Sequence, residues 1–235
     1  QGEQIRSYAY VSTGNFNEKT AKIYSDIALY TCNKTIVQDM HTLFRVLQKE
    51  VDTPHFHRLL IARFNLLPEL KKRIHREIAL ARKGKKGRII LKMNALQDIA
   101  MIDELYRASE AGVEIDLIVR GICCLVPGKE FSRNIRITRI VDSFLEHARV
   151  WYFGNDGNPL VYLGSPDWMR RNLYRRIEAV TPVLDKDLKQ ELIDMLQLQL
   201  HANWKACWVD SGLNNLFKRN PDEPKRRAQY DFYQY

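Results

Sequence analysis

A histidine and an arginine two residues apart, His147 and Arg149, stand at the start of a segment typical of a β-strand. Side chains on a strand alternate between its two faces, so this spacing places an imidazole beside a guanidinium. An imidazole near neutral pH can act as nucleophile or proton donor, and a guanidinium matches the oxygens of a phosphate. The pair predicts a phosphoryl site; the alternative is a surface histidine in an amphipathic segment.

A second polar segment, residues 164–172, follows this pair and has a weak copy near the N-terminus. Residues 13–16 and 24–31 form the first copy, and residues 165–168 and 174–181 form the second. Each copy has a hydroxyl residue, an amide or carboxylate and an aromatic residue, followed by a strand-like pattern with an acid. If the repeat is real, the chain holds one and a half copies of a paired site, and the first histidine lies upstream of residue 1.

The composition favours a polyanionic partner, because 37 Lys and Arg residues stand against 28 acidic residues in a chain of 235. Nucleic acid, a nucleotide, polyphosphate and an anionic membrane surface all fit this charge. The four cysteines lack the spacing of a metal site, and two of them are adjacent, which is a poor geometry for a disulfide. We therefore expect reduced thiols and a cytosolic protein.

The elements that must position the site follow an α/β pattern. Residues 88–119 read as strand, helix and strand, which predicts two parallel strands with ligands at their carboxyl ends. Arg120 ends the second strand, where an anion contact is as reasonable as a helix cap or a salt bridge. We predict a further strand at residues 175–184, on which Arg175 and Arg176 would face opposite ways.

Six longer segments, taken together and in this order, resemble the C-terminal part of polyphosphate kinases of the first type. They are STGNFN (12–17), KMNAL (92–96), IDELYRAS (102–109), IVRGICCL (118–125), FLEHAR (144–149) and DWMRRNL (167–173). The paired histidine and Gly-Ser motifs also resemble the phospholipase D superfamily. The departures from that superfamily are Arg149 in place of lysine, the lack of an aspartate where the motif would place one, and Asp167 in place of asparagine, and they weaken a phosphodiesterase interpretation.

The resemblance implies a phospholipase D-like fold, a mixed β-sheet flanked by helices. It divides the chain into the incomplete end of a first catalytic domain (residues 1–50), a second catalytic domain (51–212) and a flexible basic and aromatic tail (213–235). The implied reaction is reversible transfer of the ATP γ-phosphate to inorganic polyphosphate through a phosphohistidine. That histidine would lie upstream of this chain, so we expect the chain alone to turn over little.

The resemblance also implies roles for individual residues. His147 corresponds to a second, supporting catalytic histidine at the nucleotide, and Tyr24 and Arg120 correspond to nucleotide contacts. Tyr24 would otherwise be read as a half-buried strand aromatic. A polyphosphate channel is expected at four arginines: Arg170, Arg171, Arg175 and Arg176. Asn15, Asp167 and Glu178 would orient imidazoles or fix an arginine, although ordinary turn and salt-bridge roles are comparable alternatives.

The implied partners are ATP or ADP, polyphosphate and Mg²⁺, with the metal ligands outside this chain. We expect a homo-oligomer for the full-length enzyme, no nucleic-acid partner and a cytoplasmic location, and we leave peripheral membrane association open. Two alternatives remain: a phospholipase D-like phosphodiesterase completed by dimerisation, and a non-catalytic polyanion-binding module.

Overall fold

The computed structural model describes residues 6–234, and the secondary structure within that range is as follows. The strands are β1 (Ala9–Ser12), β2 (Tyr24–Ser25), β3 (Ala28–Thr31), β4 (Leu60–Ile61), β5 (Arg88–Met93), β6 (Glu114–Val119), β7 (Ile135–Ile140), β8 (Leu145–Glu146), β9 (Arg149–Phe153), β10 (Leu160–Gly164), β11 (Ala179–Pro182), β12 (Ala206–Val209) and β13 (Asn215–Phe217). The α-helices are α1 (Lys34–Leu47), α2 (Leu66–Ala81), α3 (Ile99–Glu110), α4 (Arg170–Tyr174), α5 (Lys186–His201) and α6 (Ala228–Asp231).

Nine of these strands form one mixed sheet in the order β13-β12-β7-β6-β5-β9-β10-β11-β4. The neighbours β5, β6 and β7 run parallel, and the other pairings are antiparallel. The connection β5-α3-β6 confirms the predicted strand-helix-strand unit. Helices pack on both faces, which confirms the mixed α/β class.

Strand β5 illustrates how the sequence assigns side chains to the two faces of the sheet. Ile89 and Leu91 are fully buried with Leu70 of α2 and Leu105 of α3, whereas Ile90 packs with Leu196 of α5 on the other face. This alternation is the two-residue period of a strand. Each such buried aliphatic side chain contributes about 1.5–3 kcal/mol relative to an exposed one.

The N-terminal residues form two small sheets beside the large one. Strands β1 and β3 pair antiparallel, and β2 pairs in parallel with β8, so that residues from distant parts of the chain meet. Helix α1 begins after Asn33, whose side chain accepts hydrogen bonds from the N–H groups of Thr35 and Ile36.

A buried carboxylate ties α1 to the segment that enters the large sheet. Asp39 is 1% exposed and accepts hydrogen bonds from the backbone N–H groups of His57 (3.0 Å), Arg58 (2.6 Å) and Leu59 (2.8 Å). These donors have no strand partner at that point, so the aspartate replaces a ladder of backbone bonds.

The predicted strand at residues 175–184 is wrong in its first part. Residues 170–174 form the short helix α4, which buries Leu173 completely, and the strand begins only at Ala179. Five residues are too few to show a helical period in the sequence. Arg175 and Arg176 therefore lie in the turn after α4, both exposed, and do not point in opposite directions from a strand.

The expected flexible tail is also corrected, because residues 213–234 contain β13 and α6. Strand β13 pairs with β12, and Ala228 of α6 is 5% exposed against the side chains of α5. Its contacts are made with residues outside the tail, so the composition of the tail itself shows no periodic signal. In the described part of the chain, no helix has both the length and the apolar character needed to cross a membrane.

We predict that Asp39→Ala lowers the free energy of unfolding by about 3 kcal/mol, because it leaves buried N–H groups without an acceptor. Asp39→Asn keeps one oxygen acceptor and should lose less. Chemical denaturation measures both, with Asp103→Ala on the exposed surface of α3 as the control. A loss below about 0.5 kcal/mol for Asp39→Ala, the range of ordinary surface changes, would contradict this role.

Candidate functional site

His147 lies directly after β8 and contacts the N-terminal residues. Its ring stacks on Tyr24, with 4.2 Å between ring centroids and 21° between planes. Nδ1 donates a hydrogen bond to Asp26 Oδ1 at 2.8 Å, and the backbone N–H donates to the Ser25 carbonyl at 3.1 Å. The parallel pairing of β2 with β8 brings these residues together, although they are about 120 positions apart in the sequence.

Asp26 was not among the predicted site residues, and a local network holds it in place. Thr13 Oγ1 donates to Asp26 Oδ1 at 2.8 Å and accepts from the backbone N–H of Ile27 at 3.1 Å. The backbone N–H of Thr13 donates to the Ile27 carbonyl. A Cβ atom at Gly14 would collide with the Asp26 carboxylate, so glycine allows the turn to approach it closely.

The same network recurs in the second half of the chain. Ser165 Oγ donates to Glu178 Oε2 at 2.5 Å and accepts from the backbone N–H of Ala179 at 3.3 Å, and Ser165 N–H donates to the Ala179 carbonyl. Hydroxyl and acid are 13 residues apart in both networks. This equal spacing is the sequence signal that could have identified Asp26 as the counterpart of Glu178.

The strand pairing gives the register of the internal repeat. Ser12 pairs with Ala28 in the first half, and Gly164 pairs with Val180 in the second, so corresponding residues are 152 positions apart. The sequence comparison had aligned Tyr24 with Tyr174, an offset of 150, because both are tyrosines. The structure corrects that alignment by two residues.

Arg149 is engaged inside the protein and does not face solvent as a free cation. Its side chain is 6% exposed and forms an ion pair with Asp167, with Nε–Oδ1 and Nη2–Oδ2 distances of 3.1 and 2.8 Å. Nη1 donates to the His147 carbonyl at 2.6 Å. Asp167 Oδ1 also accepts from the backbone N–H groups of Asn94 and Ala95. The direct phosphate contact inferred from the spacing is therefore corrected: Arg149 acts on the imidazole through position and charge.

Arg120 lies at the carboxyl end of β6, as predicted, and is half-buried. Its Nε donates to Asn94 Oδ1 at 2.6 Å. The backbone of Asn94 is bonded to Asp167, which is paired with Arg149. A continuous set of polar contacts thus connects Arg120 to the backbone of His147 along the carboxyl edge of the parallel strands.

The other predicted residues make no hydrogen bond to the imidazole of His147. The guanidinium groups of Arg170, Arg171, Arg175 and Arg176 are exposed and make no hydrogen bond or ion pair with the residues that the structure describes. Asn15 is exposed, and its side chain does not reach His147. Glu178 binds Ser165 and accepts from Asn172 Nδ2 at 2.6 Å. Glu178 therefore makes no hydrogen bond to His147.

The surroundings of His147 keep its imidazole neutral. Burial lowers the pKa of His147, and the positive charge of Arg149 lowers it further. The hydrogen bond and charge of Asp26 act in the opposite direction, but the pKa remains below the ordinary value of 6.5. With Nδ1 donating to Asp26, Nε2 carries the free lone pair and makes no hydrogen bond within the described residues. The site can therefore accept a proton at Nε2 near neutral pH.

A metal centre is not formed by the part of the chain that the structure covers. Residues 6–234 contain no group of three or more His, Cys, Asp or Glu side chains that could hold a metal ion.

We predict that Asp26→Asn lowers the pKa of His147 further, because the variant loses the charge that raises it. The unfolded chain then binds the proton more readily than the folded one, so stability should fall more steeply below pH 6.5 than in the wild type. NMR titration of the imidazole measures this, with the signal identified by its absence in His147→Gln. Asp103→Asn is the control, and an unchanged or raised pKa in Asp26→Asn would contradict the assignment.

Comparison with known proteins places this geometry in a family. Residues 1–53 match the family model described as "Polyphosphate kinase C-terminal domain 1", and residues 59–229 match "Polyphosphate kinase C-terminal domain 2". A polyphosphate kinase from Prochlorococcus marinus is 44% identical over 229 residues, which are 97% of this chain and 32% of that protein. One from Vibrio cholerae is 41% identical over 236 residues, covering 100% of this chain and 34% of that protein.

A solved structure agrees with these matches. The crystal structure of polyphosphate kinase from Porphyromonas gingivalis has a TM-score of 0.95 and 54% sequence identity, covering 100% of this chain and 37% of that chain. The chain spans about a third of the length of the relatives it matches. The second family model alone covers more than half of the chain. This chain therefore belongs to the polyphosphate kinase family and corresponds to its C-terminal region.

Proposed function

We propose that this chain provides the supporting half of the catalytic site of an ATP-polyphosphate phosphotransferase. The observation that carries the proposal is a neutral imidazole, His147, stacked on Tyr24 and bonded through Nδ1 to Asp26. Membership in the polyphosphate kinase family supplies the reaction, the reversible transfer of the terminal phosphate of ATP to inorganic polyphosphate.

In this proposal His147 moves a proton and stabilises charge, and it is not the residue that becomes phosphorylated. Nε2 is the nitrogen open to substrate and can take a proton from a phosphate or from the attacking group. The imidazolium that results is stabilised by Asp26, whose carboxylate already accepts from Nδ1. The covalent phosphohistidine step belongs to a histidine upstream of this chain.

Phosphate binding is assigned to Arg120 and to the exposed arginines that follow Asp167. Arg120 stands at the carboxyl edge of the parallel strands, where a nucleotide phosphate would meet its guanidinium. The exposed arginines of α4 and the following turn form a cationic surface that suits a polymer with a charge at each phosphate. Tyr24 offers its ring to the nucleotide beside His147.

The internal repeat suggests a role for Glu178 in the complete site. Asp26 of the first half holds the histidine of the second half. Glu178 occupies the matching position in the second half and contacts no histidine within the described residues. We infer that it faces the upstream histidine in the full-length protein.

Mg²⁺ is proposed to accompany ATP and to neutralise the charge of its phosphates. The described residues do not provide a cluster that fits the ion, so no step above depends on it. The proposal also includes a full-length enzyme that is homo-oligomeric and cytoplasmic, with peripheral association with a membrane as an alternative location.

The central test is phosphate transfer by the full-length protein that contains this chain. We expect ATP-dependent polyphosphate synthesis, and a fall of about a hundredfold or more in kcat for His147→Gln, the size typical of losing a positioned acid or base. His41→Gln, on the exposed surface of α1, is the matched control.

The isolated chain provides the complementary measurement. Little turnover is expected from it, and robust synthesis by this chain alone would contradict the proposal that an essential histidine lies upstream. Hydrolysis of a generic phosphodiester, abolished in His147→Gln, would instead support the phosphodiesterase alternative.

We predict that Arg170→Ala combined with Arg171→Ala weakens polyphosphate binding by about tenfold at low salt, with a smaller effect at high salt because exposed charges are screened. The KM for polyphosphate should rise while kcat changes little. Arg82→Ala combined with Lys83→Ala, on the exposed end of α2, is the control for net charge. Equal weakening in both double variants would show that total charge, and not the α4 surface, binds the polymer.

A further inference from the structure

Strand β8, which immediately precedes His147, is held by residues 227–233, here called the C-terminal clasp. The side-chain amide of Gln229 bonds to both backbone groups of Phe144: Oε1 accepts from the N–H and Nε2 donates to the carbonyl, each at 2.8 Å. Gln229 is 7% exposed. One buried side chain thus pairs with the entry to β8 as a neighbouring strand would.

The same glutamine fixes the acid next to the histidine. Gln229 Nε2 also donates to Glu146 Oε1 at 3.0 Å, while Glu146 Oε2 accepts from Lys92 Nζ at 2.7 Å and from Gln199 Nε2 at 3.2 Å. Burial alone would raise the pKa of the Glu146 carboxyl, but the charge and hydrogen bond of Lys92, together with the hydrogen bonds from Gln229 and Gln199, hold the pKa below the usual value of 4.5. Lys92 itself is 3% exposed, so its ammonium group is buried and depends on this ion pair.

Further contacts extend the clasp along the segment before β8. Arg227 Nε donates to Asp142 Oδ2 at 2.8 Å, and the hydroxyls of Tyr230 and Ser143 are 3.2 Å apart. The rings of Tyr230 and Phe144 stack with centroids 6.4 Å apart. The approach to His147 is therefore bonded at successive residues to the C-terminal clasp.

Close packing does not hold β8 on its inner side. A cavity of about 500 Å³ lies there, between the clasp and the side chains of Leu192 and Met195 on α5. On its other side, within residues 6–234, β8 pairs with β2 over two residues, and the Leu145 carbonyl accepts a hydrogen bond from the Ser25 hydroxyl at 3.2 Å. Since neither packing nor a long ladder fixes this strand, its hydrogen bonds to Gln229 carry much of the constraint.

We propose that Gln229, acting with the Glu146–Lys92 ion pair, is a positioning residue that holds His147 against Tyr24 and Asp26. It acts through β8 and does not touch substrate. His147 is the next residue after β8, so a shift of that strand separates the imidazole from both partners. The consequence for catalysis rests on the proposed phosphotransferase function, whereas the consequence for the imidazole does not.

The test uses Gln229→Leu in the full-length protein, which keeps the side-chain size but removes all three hydrogen bonds. Carbethoxylation of His147 by diethyl pyrocarbonate, followed by peptide mass spectrometry over a range of pH, reads the imidazole directly. We expect a several-fold faster reaction at His147 and a higher midpoint pH, because the released ring leaves its buried site beside Arg149. Gln190→Leu, on the exposed face of α5, is the matched control.

The kinetic readout links the imidazole to catalysis. We expect kcat to fall by about tenfold or more in Gln229→Leu, because misplacement by about 1 Å can cost on the order of a hundredfold in rate. Glu146→Gln should also make His147 react faster and raise its midpoint pH, because this variant removes the ion pair with Lys92.

The outcomes separate the two proposals. Unchanged reactivity and midpoint pH at His147 in both folded variants, with circular dichroism as the check on folding, would overturn the positioning role. A merely structural role for Gln229 would lower the melting temperature without moving the His147 profile, and it would overturn the proposal as well. Absence of phosphate transfer by the wild type would contradict the proposed function alone.

Discussion

The buried ion pair between Arg149 and Asp167 is the interaction on which the site depends. Arg149 binds the carbonyl of His147 at 2.6 Å and that of Thr13 at 3.4 Å, so one guanidinium spans both halves of the repeat. Asp167 binds the N–H groups of Asn94 and Ala95 and so fixes the loop that carries the partner of Arg120. Both side chains are almost fully buried, and loss of either would leave an unpaired charge, at a cost of about 3–5 kcal/mol.

This pair also sets the chemistry of the imidazole. Burial lowers the pKa of His147 and the charge of Arg149 lowers it further, while Asp26 raises it, and the pKa stays below its ordinary value with Nδ1 donating to Asp26. The site therefore uses its two charges in different ways. The charge of Arg149 is neutralised by Asp167 and holds the backbone of the site in place. The charge of Asp26 faces the imidazole and stabilises it when it accepts a proton.

The large sheet was predictable because its strands carry local patterns. The strand-helix-strand unit predicted at residues 88–119 corresponds to β5, α3 and β6, since the apolar residues of each element recur at its period. The contact between Asp26 and His147 depends on two strands 120 residues apart, and no local pattern encodes it. The spacing of His147 and Arg149 indicated that they are neighbours, but only the fold brings in Asp167.

The tail was misjudged for a related reason. Its basic and aromatic residues have no period because they stack on residues of the preceding segment: Lys218 lies 3.5 Å from the ring centre of Trp208, and Lys225 lies 3.9 Å from that of Trp204. Burial lowers the pKa of Lys218 to about 8, a sign that this cation is inside the fold. The basic composition of this segment suggested exposure to solvent, whereas its cation–π contacts and the burial of Lys218 show that it packs on the folded protein.

The two halves of the repeat have equivalent strand pairings, but they differ in the turn residue that faces the acid, Asp26 in the first half and Glu178 in the second. Position 14 must be glycine while the Asp26 carboxylate holds His147, because any Cβ there would displace that carboxylate. At the equivalent position the second half has Pro166, opposite the longer Glu178. The turn residue and the acid therefore form a matched set in each half. Replacing the first turn by the second would therefore require Asp26 to be replaced by glutamate as well, so the turns of the two halves are not interchangeable on their own.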